Sequence, residues 1–243
     1  MTIRTLLMAA TAVTASVMLA SGAQAGITIF SGQDDGAQIG GPYTNSDAAE
    51  ANFLAAAAGY GATRTEGFES LSVGFSSTFS IAGASVSLSA PNYGNGFSGI
   101  SNTTFGNLYG FNTTAGGSNW LGFPGGSATF TFTKPTNSFG FFTTGVQTIF
   151  TSDLSVNFND GQSEQLSLPI NVNGGVSYFG FTDSSSIKSI TISDISNDAW
   201  GIDDVSFNFS AVPEPATWAL MLLGIGGLGA TMRSRRKQAL AVG

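Results

Sequence analysis

Ala128-Thr129-Phe130-Thr131-Phe132-Thr133, then Lys134-Pro135-Thr136-Asn137, then Ser138-Phe139-Gly140-Phe141-Phe142-Thr143-Thr144, is the stretch that decides the fold class. Ala128, Phe130 and Phe132 alternate with threonines, the period-two pattern of a strand with one buried face. Lys134 to Asn137 has the composition of a turn, so residues 138–144 are predicted to return as the next strand. Working outward, Leu154, Val156 and Phe158 alternate up to Asn159-Asp160-Gly161, a hairpin signal, and residues 164–168 should pair back. Further strands are predicted over 27–30 and 64–69, around Phe75, Phe79 and Ile81, around Val86 and Leu88, and over 176–181, 187–192 and 202–209. Roughly ten short strands separated by turn residues predict an all-β domain, a jelly-roll-like β-sandwich.

One short helix interrupts this pattern near the N-terminus. Residues 47–58 are predicted helical, with Asn45 or Ser46 as cap, Asp47 and Glu50 in the first turn and Gly59 past the end. A Gly- and Asp-containing loop is expected between the first strand and Tyr43. Residues 91–126 lose the strand pattern but keep Tyr93, Phe97, Phe105, Tyr109, Phe111, Trp120 and Phe123. A plain linker lacks aromatics, so this stretch is expected to be a long, partly ordered loop packed on one sandwich edge.

The chain of 243 residues contains no cysteine and no histidine. The first absence removes disulfides and thiolate metal sites. The second removes Ser-His-Asp and Cys-His catalysis and His-ligated zinc. Of eight basic residues, only Arg64, Lys134 and Lys188 lie between the terminal segments, against fourteen of the fifteen acids, leaving that region at −11. Such a body repels nucleic acid and anionic lipid heads, so neither DNA, RNA nor direct lipid binding is expected, but it is compatible with divalent cations and neutral glycans.

Both ends carry export chemistry. Arg4, the apolar run Leu6 to Ala20 and the small-x-small site Ala23-Gln24-Ala25 make residues 1–25 a secretory signal peptide. At the other end stand Pro213-Glu214-Pro215, Trp218-Ala219, an apolar run to Met232, and the basic cluster Arg233, Arg235, Arg236 and Lys237. Two prolines keep the first part extended. The 17 uncharged residues 216–232 reach about 25 Å as a transmembrane helix, at the short limit for a bilayer. The basic cluster should hold the C-terminus in the cytoplasm. Residues 26–210 are thus expected to be the exported domain, and 211–243 the sorting segment.

This tail resembles the PEP-CTERM family of sorting signals, in the variant whose motif continues to a Trp-Ala pair. The resemblance implies processing near Pro213-Glu214-Pro215 by an exosortase, a membrane protease. It also implies a transient inner-membrane anchor and delivery to the surface or matrix of a Gram-negative bacterium. In such families the export system accompanies extracellular polysaccharide, so exopolysaccharide and biofilm are the implied setting.

The densest polar cluster within the domain is Asp194, Asn197, Asp198, Asp203 and Asp204. The segment from Asp198 to Phe207 resembles the approach to the last strand in jelly-roll carbohydrate-binding domains, where edge acids hold a structural calcium. That resemblance implies calcium ligands at Glu69, Asp203 and Asp204, an acid set suited to a hard cation. Tyr93, Tyr109, Trp120 and Trp200 are the candidate stacking platforms for a glycan. No motif identifies a catalytic carboxylate pair, so no catalytic residue is assigned. The expected function is a non-enzymatic exported surface or matrix protein. The alternatives are a carbohydrate-binding module with a defined glycan ligand and, further off, a glycan-active enzyme.

Overall fold

The computed structural model describes residues 26–89, 98–147 and 152–209. The expected signal peptide 1–25, the sorting segment 211–243 and the stacking candidate Tyr93 lie outside these residues. The elements in chain order are β1 (Thr28–Asp35), α1 (Thr44–Ala57) with a closing 3-10 turn (Ala58–Tyr60), β2 (Thr63–Glu66), β3 (Gly74–Phe75), β4 (Thr78–Ile81) and β5 (Ala84–Leu88). Then come β6 (Gly99–Ser101), β7 (Trp120–Thr144), β8 (Ser152–Phe158), β9 (Ser163–Ser167) and β10 (Gly175–Asn208).

The sequence expects 138–144 to form a strand of its own, but it continues β7 through a bend. In the same way 176–181, 187–192 and 202–209 are successive legs of the single long β10. These bent strands pass between two layers. In one layer β10 residues 176–182 and 201–207 flank β7 residues 138–144, with β1 and β2 at the edges. In the other, β7 residues 128–132 lie between β5 and the middle leg of β10, which continues to β8 and β9. All named strand pairs are antiparallel, and the bent strands link all ten into one continuous sheet. The fold is therefore all-β and sandwich-like with one short helix.

Alternation along β7 explains the two cores. Phe139 and Phe141 point between the layers and meet Phe130 and Phe179 at ring distances of 5.3 and 6.3 Å. Val86, Val156, Ile190, Ile192 and Phe207 complete this core. Each large side chain removed from water here contributes about 1.5–3 kcal/mol, the cohesion that replaces disulfides. Phe142 faces the other way and packs with Tyr178, Phe53 and Ala57 beneath α1. Gly140 and Gly180 form the floor of this second core. A methyl on Gly140 would overlap the Tyr178 hydroxyl, and one on Gly180 would sit 2.8 Å from the Phe53 ring. Gly140→Ala is therefore expected to cost about 1–3 kcal/mol by overpacking. Urea unfolding checks this; an unchanged midpoint would mean that Tyr178 moves aside freely.

Three local expectations are corrected. β1 runs on to Asp35, beyond the four residues predicted, because Gly32 lets the chain pass directly beneath Asn45 of α1. The helix starts at Thr44 and has no side-chain cap of its own. Instead the Asp34 carboxylate, from β1, accepts the backbone N–H groups of Asn45 (3.0 Å) and Ser46 (2.8 Å). Those bonds hold the Asp34 carboxyl below its usual range against the opposing effect of burial. The helix then tightens into its 3-10 turn rather than ending on Gly59, and Gly61 makes the break at φ 138°. Finally, the aromatic loop is shorter than expected, since β7 begins at Trp120.

Candidate functional site: a carboxylate-pinned loop

Early and late acids meet around one loop, residues 111–119. β2 delivers Glu69 through Gly67 and Phe68, and Phe68 itself adopts φ 61° with its ring fully buried. β10 delivers Asp203 and Asp204 at a break in register, where Asp204 takes φ 46°. Left-handed backbone at two non-glycine residues costs about 1–3 kcal/mol each, so the surrounding contacts must hold it.

Those contacts are hydrogen bonds to the loop. Asp203 Oδ2 accepts the backbone N–H of Thr113 (2.7 Å) and of Thr114 (3.2 Å), and Oδ1 accepts that of Asp204 (2.9 Å). The Thr114 hydroxyl donates to Asp204 Oδ1 at 2.7 Å, and that of Thr113 to Oδ2 at 3.2 Å. At the other end of the loop Glu69 Oε1 accepts Asn112 Nδ2 (3.0 Å) and the backbone N–H groups of Ser118 and Asn119 (both 2.9 Å). Asn119 Nδ2 returns to the carbonyls of Phe68 and Leu71. Gly117 is required here, because a Cβ would enter the Glu69 carboxylate.

The electrostatics are those of crowded acids. Burial, and then the neighbouring Asp204, push the Asp203 carboxyl up to about 7, against the pull of its backbone donors. Asp204 is raised by burial and by Glu69, with the threonine hydroxyls opposing. Glu50, on the sheet-facing side of α1, is pushed up to about 7 by burial, then by Asp204 and Asp47. Tyr178 lies close by, fully buried, with no hydrogen-bond partner for its hydroxyl. Sequence reasoning placed Glu50 only in the first helical turn. Its spacing from Ser46, Phe53 and Ala57 puts it on the buried face, and that was the available signal.

Calcium at Glu69, Asp203 and Asp204 does not fit this arrangement. Their oxygens already accept N–H and O–H donors, whereas a calcium ligand must turn its lone pairs to the ion. Among the described residues no group of three acids is gathered to hold a metal. These carboxylates are the loop's anchors.

The stacking candidates separate clearly. Trp120 and Trp200 are 2% and 1% exposed and belong to the interior, so both are withdrawn as platforms. Glycines 110, 122 and 201 provide the seat of the Trp120 ring, where a Cβ would come within 2.5–2.8 Å. Tyr109 is 52% exposed, and Phe105, which the sequence reading passed over as a platform, is 45% exposed on the same loop. The side chains of residues 194–198 are outside the description. Beside the pinned loop an open cleft of about 380 Å³ lies between residues 39–43 and 112–117, and Asp47 is the one acid among its described lining residues.

The family model of the PEP-CTERM protein-sorting motif matches residues 211–237. Residues 211–237 thus carry a PEP-CTERM sorting motif, which implies an exported protein processed by an exosortase. No curated protein matches the chain. One solved structure, the enzymatically active domain of tailspike protein 4 of bacteriophage CBA120, aligns with 58% of this chain at 16% identity and a TM-score of 0.18. The alignment spans 19% of that tailspike chain.

Proposed function

We propose that the exported domain is a non-enzymatic surface or matrix module that works by binding, with exopolysaccharide as the polymer it meets. The observation that carries this reading is a pair of exposed aromatics on a fixed loop. Phe105 N–H donates to the Gly110 carbonyl, and Gly110 N–H to that of Gly106, both at 3.1 Å. Gly175 N–H (2.7 Å) and the Gln147 amide (2.9 Å) donate to the carbonyls of Asn107 and Leu108. The loop therefore holds Phe105, Leu108 and Tyr109 toward solvent without losing order on contact, which favours stacking against a sugar face. The use of Glu69, Asp203 and Asp204 as anchors, and the single acid among the cleft's described lining residues, support binding rather than glycoside hydrolysis, which needs two convergent carboxyls.

The second reading, a module with one defined glycan ligand, rests on the same aromatics and differs in selectivity. Glycan-array and polysaccharide-retention measurements on residues 26–209 separate the two. Broad retention on neutral polysaccharide supports the matrix role, and a single tight hit supports the module. Tyr109→Ala is expected to weaken binding by roughly tenfold, about 1.4 kcal/mol. Equal binding by wild type and variant, or no retention at all, would remove the proposal.

A further inference from the structure

The outer face of the second layer carries one kind of chemistry across its width. From edge to edge this layer runs β4, β5, β7, β10, β8 and β9. Phe79, Val86, Phe130, Ile190, Val156 and Leu166 face the core, so their neighbours along each strand face outward. Register sets those neighbours in rows across the strands. One row reads Ser80, Ser85, Thr131, Ser189, Asn157 and Ser163. The next reads Thr78, Ser87, Thr129, Thr191, Ser155 and Gln165. Every one of these side chains is exposed or half-buried, and every one is a neutral hydrogen-bonding group. In the second row Thr129 and Thr191 share a hydrogen bond of 3.0 Å, and the Gln165 amide donates to the Ser155 hydroxyl. Charge begins only at the margin. Lys188 is exposed beside Ser189 where the register shifts, and Asp153 falls in the row beyond, between Ser193 and Ser167. Glu164 opposes Val156, so it belongs to the other face of β9 from Ser163 and Gln165. No Asp, Glu, Lys or Arg occurs between Glu69 and Lys134, the run that builds β4, β5 and the first leg of β7.

We propose that these rows are a docking surface for a neutral, extended polysaccharide chain lying across the strands. The inference rests on reading the domain as a binding module for exopolysaccharide, and it adds a surface distinct from the aromatic loop. Composition selects this occupant over others. A protein interface centres on apolar and aromatic anchors, and nucleic acid requires several cations; the rows hold neither. A charge beneath a neutral sugar would lose its water without gaining a partner. Two rows free of acids, on a body of −11, are what such a ligand requires. Each Ser or Thr hydroxyl donates one hydrogen bond and accepts up to two, the same capacity as a sugar hydroxyl. Spacing supplies the match in length. Strands lie about 4.8 Å apart, close to the advance per sugar in an extended β-linked chain, so each sugar meets one strand. The six strands extend over about 24 Å, room for about five or six sugars. The two rows stand about 7 Å from each other, within the width of one ring and its substituents. Single bonds of this kind are weak in water, so affinity comes from their number along one chain.

The test uses the full chain in micelles of a polyoxyethylene detergent, whose head groups carry no sugar. Affinity electrophoresis through a gel containing mixed-linkage β-glucan measures binding, with the series from cellobiose to cellohexaose as competitors. Inhibition is expected to strengthen with each added sugar, cellohexaose competing at least about tenfold better than cellobiose. The Thr129→Val, Thr131→Val, Thr191→Val chain keeps side-chain shape but loses hydroxyls, and should bind about fivefold more weakly. Ser87→Lys with Thr131→Lys places charges beneath the sugars and should weaken binding at least as much. Circular dichroism checks that both variants fold, and Tyr109→Ala reports separately on the aromatic loop. If Tyr109→Ala weakens retardation while the folded row variants migrate as wild type does, the inference falls and the proposed function stands. Competition that stops improving at cellotriose also overturns the inference, and this measurement on the wild type decides the matter where a variant does not fold. If the row variants lose binding and Tyr109→Ala does not, the rows are the site and the aromatic loop is not. A wild-type chain that the glucan does not retard overturns both readings, and inhibition of ice recrystallisation by that chain would assign the rows to ordered water.

Discussion

The domain is expected to lose stability as pH rises from 5 to 8, its melting temperature falling by about 10 °C at about 2–4 °C per kcal/mol for this size. Glu50 and Asp203 are the source. Each carboxyl is pushed up to about 7 in the folded state, from ordinary values of 4.5 and 3.8. Between those values and 7 the folded chain keeps protons that the unfolded chain has released, so unfolding is favoured by raising pH. The stabilisation is fully present below about pH 4 and is gone above 7. For Asp203 alone the full difference corresponds to roughly 4 kcal/mol, of which about 2.7 kcal/mol is lost as the pH passes from 5 through 7. Glu50 is partly open to water and adds only a screened fraction. Asp34 and Asp35, whose carboxyls are lowered, act in the opposite direction, at pH below this window. Thermal melts of residues 26–209 across the range provide the check, and Glu50→Gln should flatten the slope. A melting temperature that is constant or rises with pH would refute the account.

Asp203→Ala is the substitution with the largest expected effect on the loop, costing about 3 kcal/mol. It leaves the N–H groups of Thr113, Thr114 and Asp204 without their acceptor; a fully buried orphaned donor costs about 1–3 kcal/mol, and these three are partly buried, so each contributes toward the lower end. Part of that loss is offset, because removing one acid relieves Asp204. Asp203→Asn keeps an acceptor and should cost much less. Hydrogen exchange over residues 111–119 should speed up in the alanine variant while the β7 and β10 core keeps its protection. A loss below about 1 kcal/mol, or unchanged exchange, would show that the loop is held by something other than these carboxylates.

The elements legible in the sequence are those built from short-range pattern. The alternation from Ala128 to Thr133 marks its strand because a two-sided ribbon with one buried face admits few other readings. Asn159-Asp160-Gly161 marks its hairpin because Gly161 must take φ 90°. The continuity of β7 and β10 through their bends was hidden, since a bend between layers uses the same polar residues as a hairpin turn. The Asp34 cap on α1 was hidden because donor and acceptor lie more than ten residues apart and nothing local announces the pairing. Trp120 and Trp200 were misplaced for a related reason. Glycine-rich flanks suggest an open loop, yet glycines 110, 122 and 201 are the space into which the Trp120 ring is sunk. Glu69, Asp203 and Asp204 were legible as a group from their density, but their role depended on donors in a loop whose path the sequence does not display.

The last leg of β10 lies between β7 and β2 and ends at the point where the C-terminal segment departs. Its ladder bonds run perpendicular to the strand, so a pull on that segment loads them side by side rather than one after another. Pulled between that segment and the far loops, the domain would resist as a lap joint does, in shear across two seams. Its survival under traction is then set by the height of the unfolding barrier rather than by its equilibrium stability.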